Sequence, residues 1–208
     1  MLHFETIEPR TFSLLKDLMA LPDLLPFSLV GGTALSLQYG HRSSDDLDLF
    51  YHRKFNIQQT IEALESRFQS KFAYKQQHTG VGIFCFIDNI KVDFVYYPHL
   101  LIDTIKEEVK IRMYSIADLS AMKIQAILGR AKKKDFWDLY ELLQHYSLKQ
   151  LIDWHKQKYP SQMLAISIPE AITYFVDAEE SESPVSFKKQ NWEGIKKGIQ
   201  RAVNDYLK

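Results

Sequence analysis

Residues Leu29 to Phe50 read LVGGTALSLQYGHRSSDDLDLF, and the fold turns on this stretch. An apolar entry, Leu29-Val30, runs into Gly31-Gly32. A short helical stretch follows, Thr33 to Tyr39, then a polar loop, Gly40 to Asp45, and an alternating strand, Asp46-Leu47-Asp48-Leu49-Phe50. Strand side chains alternate between faces, so Asp46 and Asp48 project to one side and Leu47 and Leu49 to the other. Adjacent carboxylates repel and are costly to keep ionised unless a positive charge sits between them. A hard cation such as Mg²⁺ wants that oxygen pair and commonly brings a phosphate with it. An ordinary wet edge strand carries the same residues. The glycine turn upstream and a third carboxylate downstream tip the balance toward the cation. Gly31 and Gly32 let the backbone turn tightly and approach a ligand closely. A helix N-terminus behind them presents free N–H groups to a phosphate, with Thr33 as its expected cap.

The third carboxylate is Asp93, in Val92-Asp93-Phe94-Val95. Alternation puts Val92, Phe94 and Tyr96 on one face and Lys91, Asp93 and Val95 on the other. An unpaired charge buried in so apolar a strand costs several kcal/mol, roughly. A cation, the lip of a cleft, or a salt bridge to a lysine or arginine must compensate. Further on, residues 117–131 have a helical pattern, capped by Ser115 or Asp118. Lys123 and Arg130 are seven apart, so they differ by about 20° around the axis and share a stripe; Lys134 joins it if the helix continues. Arg112, Lys123, Arg130, Lys132, Lys133 and Lys134 stand against Asp118 alone, a local positive patch in which Lys132 and Lys133 are assigned to solvent. Asp135 reads as the N-cap of the next helix and Asp138 as a first-turn carboxylate.

The rest of the chain supplies the frame. Helices are expected over 8–21, 56–69, 148–158, 162–176 and 191–207, and strands over 72–76, 82–87 and 90–97 with turns at Thr79-Gly80 and Asp88-Asn89. From Ile102 on the pattern is mostly helical, and Asp177 to Pro184 reads as an acidic turn or mobile loop. The expected fold class is α/β (α+β): a core with a mixed sheet over residues 1–110, then a helical region over 111–208 that completes the cleft. Hydrophobic residues make up 46% and charged residues 25%, as in ordinary globular proteins. A formal net charge of zero argues against a general polyanion binder and leaves local patches open. The single cysteine, Cys85, lies in an apolar run and is expected as a buried thiol. No secretory leader is visible, and no stretch approaches the roughly 18 apolar residues of a membrane span. The expectation is a cytoplasmic protein with no membrane partner.

Three carboxylates from two strands and a glycine turn together suit the holding of divalent metal, Mg²⁺ or Mn²⁺, around a nucleoside triphosphate. Asp46, Asp48 and Asp93 are the expected metal ligands. Asp93 would help activate an acceptor hydroxyl, as shared ligand or general base. Lys123 and Arg130 would clamp the β- and γ-phosphates.

Val30-Gly31-Gly32, then Asp46-Leu47-Asp48-Leu49, then Val92-Asp93-Phe94 resemble the signature of the DNA polymerase β-like nucleotidyltransferase superfamily. Within it, GGTAL with GHRSSDDLDLF resembles the AbiEii/AbiGii abortive-infection toxin family. The run DLSAMKIQAILGRAKKKDFWDLYELL is similar to that family's second signature, K-x6-R-x4-D-x2-D-L. The resemblance covers about residues 27–145. It implies a minimal nucleotidyltransferase core, Mg²⁺-dependent transfer from an NTP, and toxin relatives, some of which modify tRNA. By position it implies phosphate contacts from Gly31, Gly32 and Thr33, metal at Asp46 and Asp48, and nucleotide contact from Lys123. Asp138, beside its rival Asp135, matches the downstream catalytic aspartate, and Asp93 the superfamily's third carboxylate. His41, Arg42 and Ser44 match the family loop, Arg42 either pairing with phosphate or holding Asp45. An RNA (tRNA) acceptor and a cognate antitoxin are the expected partners. Nucleotidylation of a partner protein, a nucleotide-binding regulator without turnover, and a plain interaction module are the rivals. Asp48→Asn or Lys123→Ala is expected to abolish transfer with the fold intact.

Overall fold

Burial along Ile90–Tyr96 alternates as the pattern predicts near its start: Ile90, Val92 and Phe94 are buried while Lys91 faces water. In the computed structural model this strand is β5, and it lies inside a mixed, open sheet. The structure describes residues 1–74 and 80–208. The remaining strands are β1 (Ser28–Leu29), β2 (Leu47–Tyr51), β3 (Phe72–Tyr74), β4 (Gly82–Ile87), β6 (Lys106–Glu108) and β7 (Ile111–Met113). Among the described residues the order is β3-β4-β5-β2-β1-β7-β6. The pairs β2–β5 and β1–β7 are parallel and the others antiparallel. Asp88 and Asn89 turn β4 into β5 with φ of 53° and 63°, the left-handed pair that suits a tight hairpin. Part of the expected 72–76 strand and Thr79 lie outside the described residues.

The helices are α1 (Pro9–Ala20), α2 (Gly31–Tyr39), α3 (Ile57–Phe68), α4 (Ile116–Gly129), α5 (Lys133–Leu143), α6 (Leu148–Lys158), α7 (Ile168–Thr173), α8 (Val176–Glu179) and α9 (Trp192–Tyr206). Asn56 caps α3 by accepting from Gln59 N, Ser115 caps α4 by accepting from Asp118 N, and Asn191 caps α9 by accepting from Gly194 N. Ile61 and Leu64 on α3 are buried where that helix packs on β3 and β4. The helices after β7 pack on one another: α4 against α6, α5 and α7, and α5 against α9. A buried ion pair joins α4 to α6, with Lys158 Nζ 2.6 Å from Asp118 Oδ1 and the Ser115 hydroxyl donating to Asp118 Oδ2 at 2.7 Å. Cys85 is buried, and burial pushes its thiol up to about 12.

Several expectations are corrected. Residues 106–113 form a hairpin and are not helical, and β7 extends the sheet by pairing Met113 with Leu29, so Ile111–Met113 belongs to the sheet. Arg112 is not part of a basic patch: its guanidinium donates to the carbonyls of Phe27, Met19 and Leu24 at 3.0–3.2 Å. The helix from Ser115 does not continue to Lys134. Ala131 adopts φ 42°, and a new helix starts at Lys133. The helix expected over 162–176 shrinks to α7, whose start is fixed by a capping box of Ser167 and Glu170 with proline in the first turn. The acidic run after it is partly helical, with Ala178 fully buried in α8.

A segment far downstream closes back on the polar loop. Ser43 N donates to Val185 O at 2.9 Å and Phe187 N to His41 O at 3.0 Å, around a bridge between Arg42 and Ser186.

His155 on α6 is 2% exposed and bonds to Gln125 on α4 at 3.0 Å. Burial pushes its pKa from 6.5 down to about 4. The unfolded chain therefore takes up this proton first, and stability drains as pH falls from about 6.5 toward 4. Replacing His155 with Gln should flatten that part of the profile, read as the slope of the urea midpoint against pH. Parallel slopes for the two proteins would count against it.

Candidate active site

Val30 N donates to Asp48 O at 2.9 Å, which pins the start of α2 to β2. Gly31 then takes φ +71°, where side chains are strained, and a Cβ there would lie 2.5 Å from Asp48 Oδ2. At Gly32 a Cβ would collide with the Arg42 guanidinium. Backbone conformation and space both require glycine at 31, and space alone requires it at 32. The N-cap residue is Val30, with no side-chain cap, so the first N–H groups of α2 are left without a side-chain acceptor at their mouth. Thr33 is not the cap. It lies within the helix, 1% exposed, donating to Asp46 O at 2.5 Å and lying 2.9 Å from the Ser44 hydroxyl. That contact fastens the backbone of Asp46 to α2.

The cleft above these residues has a volume of about 360 Å³. Gly31, Gly32, Ser44, Asp46 and Asp48 line it together with Arg42, Lys123, Arg130 and Lys134. Phe50, Tyr97, Leu119 and Met122 add an apolar end that sequence reasoning missed, because they come from separate stretches of the chain and share no spacing. Thr33, Asp93 and Asp138 do not line this cleft.

The carboxylates differ in setting. Asp46 lies just before β2, half exposed, 3.4 Å from Lys134 Nζ. Burial pushes the Asp48 carboxyl above its ordinary pKa; Lys91 and Lys123 oppose this, and Asp93 and Asp46 add to it. Asp93 sits in register with Asp48 across β2–β5. Its Oδ2 accepts from Lys91 Nζ at 2.6 Å, while its Oδ1 is buried with no partner among the described residues. Of the compensations expected for Asp93, the lysine is therefore present. Burial works against the Lys91 ammonium, but Asp93, Asp48 and Asp46 outweigh it and hold its pKa above normal.

The downstream residues form a buried charge cluster. Arg42 donates from Nε and Nη2 to Asp138 at 2.6 and 2.8 Å, and His41 Nε2 lies 2.7 Å from the same carboxylate. Arg42 does not hold Asp45, which accepts from Glu8 N at 3.1 Å. Lys123, 5% exposed, bridges Asp138 at 2.8 Å and Asp135 at 2.9 Å. Arg130 reaches Asp135 at 3.2 Å with half its side chain in solvent. Asp135 is not the N-cap of α5 but its third residue, accepting from Lys132 N, and Asp138 lies a turn further in. Burial disfavours the Asp138 charge, yet Arg42 and Lys123 hold its pKa well below the usual range.

Among the described residues no group of three His, Cys, Asp or Glu side chains is placed to hold a metal ion unaided. Mg²⁺ is commonly bound by one or two carboxylates with substrate phosphates completing the shell. Asp46 and Asp48 beside an open helix N-terminus suit an ion that arrives with its triphosphate. No helix among the described residues is long and apolar enough to cross a membrane.

Comparison with known proteins finds relatives along most of the chain. An uncharacterised protein of Aquifex aeolicus (strain VF5) is 32% identical over 190 residues, covering 87% of this chain and 88% of that protein. A Helicobacter pylori protein presented as a candidate nucleotidyltransferase superposes with a TM-score of 0.58 at 18% identity, over 97% of this chain and 99% of its own. MenT4, a nucleotidyltransferase toxin of Mycobacterium tuberculosis H37Rv, gives 0.56 at 14% identity, over 97% and 84%. These two share the fold. The family model described as nucleotidyl transferase AbiEii toxin, type IV toxin–antitoxin system, matches residues 13–207, and the chain belongs to that family.

Proposed function

We propose that this protein transfers a nucleoside monophosphate from an NTP to a hydroxyl of an RNA acceptor, with tRNA favoured, as the toxin of a toxin–antitoxin pair. One observation carries the reading: Asp48 stands between Gly31 at the open end of α2 and Asp93 on the neighbouring strand. The triphosphate lies along the Gly31–Gly32 turn, with its charge met by the α2 N–H groups, Arg130 and Lys134. Asp46 and Asp48 hold Mg²⁺ or Mn²⁺, which when bound supplies neutralisation of phosphate charge and polarisation of the reacting oxygens. The acceptor oxygen attacks the α-phosphorus, the bond to the β-bridging oxygen breaks, and pyrophosphate leaves. Asp93, beside Asp48 across β2–β5, takes the hydroxyl proton. Lys123 acts from behind, seating Asp135 and Asp138 so that Arg130 and Arg42 keep their places.

The test is incubation with labelled NTPs, Mg²⁺ and total RNA, with products resolved by size. Label in tRNA-sized material is the expected result. Label in polypeptide alone would move the acceptor to a protein, and no label under any NTP and metal would remove the transferase reading.

Asp48→Asn should lower transfer about 10³-fold, since a lost metal contact removes several kcal/mol of transition-state stabilisation. Its unfolding midpoint should stay level or rise, because the charge removed is one that burial disfavours. Lys123→Ala should behave differently from the simple expectation of an intact fold. It takes one cation from two buried carboxylates, which keep Arg42 and Arg130, and should cost about 1.5–3 kcal/mol of stability. Urea unfolding of both variants checks the contrast, and a fully stable Lys123→Ala would contradict the role given to the cluster.

A further inference from the structure

β4 uses its two faces unequally. Ile83, Cys85 and Ile87 are buried on the side that meets α3, while Phe84 is half-buried and Phe86 is 51% exposed on the other. Neither phenylalanine belongs to the apolar core of the described residues. Their register gives them neighbours with chemistry. Phe84 is paired with Asp93 and Phe86 with Lys91, and Asp93 is paired with Asp48. Directly paired residues share a face of the sheet. One row across the strands therefore reads Asp48, Asp93, Phe84, and the next places Lys91 beside Phe86. The nucleotide cleft opens on the Gly31 side of Asp48. The aromatic rows lie on the opposite side, where an acceptor hydroxyl must come from to reach Asp93.

The geometry points to Phe84 and Phe86 as a stacking platform for the unpaired 3′ end of an RNA strand. This rests on the transferase reading above and names its acceptor subsite. The two rings are about 7 Å apart along the strand, enough for a base on each. Stacking of this kind tolerates any base. Lys91 spends one N–H on Asp93 and keeps two for a backbone phosphate. The terminal hydroxyl is then brought to the Asp93 carboxylate, which is paired directly with Phe84. A polypeptide acceptor fits this surface less well. Extended peptides dock on a free strand edge through backbone bonds, and Cys85–Ile87 of β4 is paired on both sides, with β3 and β5. Planar rings beside an ammonium suit bases and phosphate.

The experiment compares two fluorescein-labelled RNA hairpins, one with a short single-stranded 3′ tail and one blunt, by anisotropy on the full chain. The Phe84→Leu and Phe86→Leu variants keep apolar bulk and remove the π face. Binding of a trinitrophenyl nucleotide with Mn²⁺ is measured on all three proteins. The parent should prefer the tailed hairpin, each leucine should weaken that binding about tenfold, and nucleotide binding should not change. Leucine variants that hold the tailed hairpin as the parent does, or a parent indifferent to the tail, would overturn the platform alone if nucleotide still binds. Ring-dependent RNA binding in a parent that binds no nucleotide would keep the platform and remove the transferase reading.

Discussion

The bidentate contact between Arg42 and Asp138 is the constraint on which the cleft depends. Both groups are buried, and a buried charge that loses its partner is strongly destabilising. The pair is not isolated: Lys123 joins Asp138 to Asp135, and Asp135 reaches out to Arg130 at the cleft rim. Opposite charges thus link the polar loop after α2 to the two helices that follow the sheet. The loop carries Ser44 and leads directly into Asp46 and Asp48. Its position is consequently set by residues from the helical region, and neither region can shift without exposing or stranding charge.

The same site asks for one thing that stability does not. Asp48 is partly buried near two other carboxylates, and its ionised form is disfavoured. Active sites tolerate such groups because the bound ligand supplies what the protein withholds. Lys91 partly relieves the strain from the far side, and the glycine turn leaves room on the near side.

Much of this was legible in the sequence where the signal is short-range. The alternation through Leu47–Phe50 and at the start of Ile90–Tyr96, the glycine pair and the helix cap each work over a few residues; Asp46 falls just before its strand, the glycines open α2 instead of preceding it, and of Ser115 and Asp118 it is Ser115 that caps. What escaped notice depends on turns without turn residues. The β6–β7 hairpin reverses at Val109 and Lys110, both with positive φ, and neither residue announces such a turn. Ala131 breaks a helix pattern in the same silent way. Among the candidate site residues, the charges were found but their partners were not. Lys123 and Arg130 read as phosphate clamps because periodicity shows which residues share a stripe, and cannot show that aspartates from α5 reach them first; Arg42, open between a phosphate and Asp45, is held by Asp138 instead. The aromatic pair on β4 was hidden for the same reason: a strand with apolar residues on both faces does not say which face is covered.

The backbone pairing of Ser43 and His41 with Val185 and Phe187 has a consequence for how the protein comes into being. The glycines and the carboxylates are all synthesised early, but the loop between them is braced by a segment made much later. A nascent chain carries the reactive groups long before it can seat them, so assembly of the working cleft waits on the late segment.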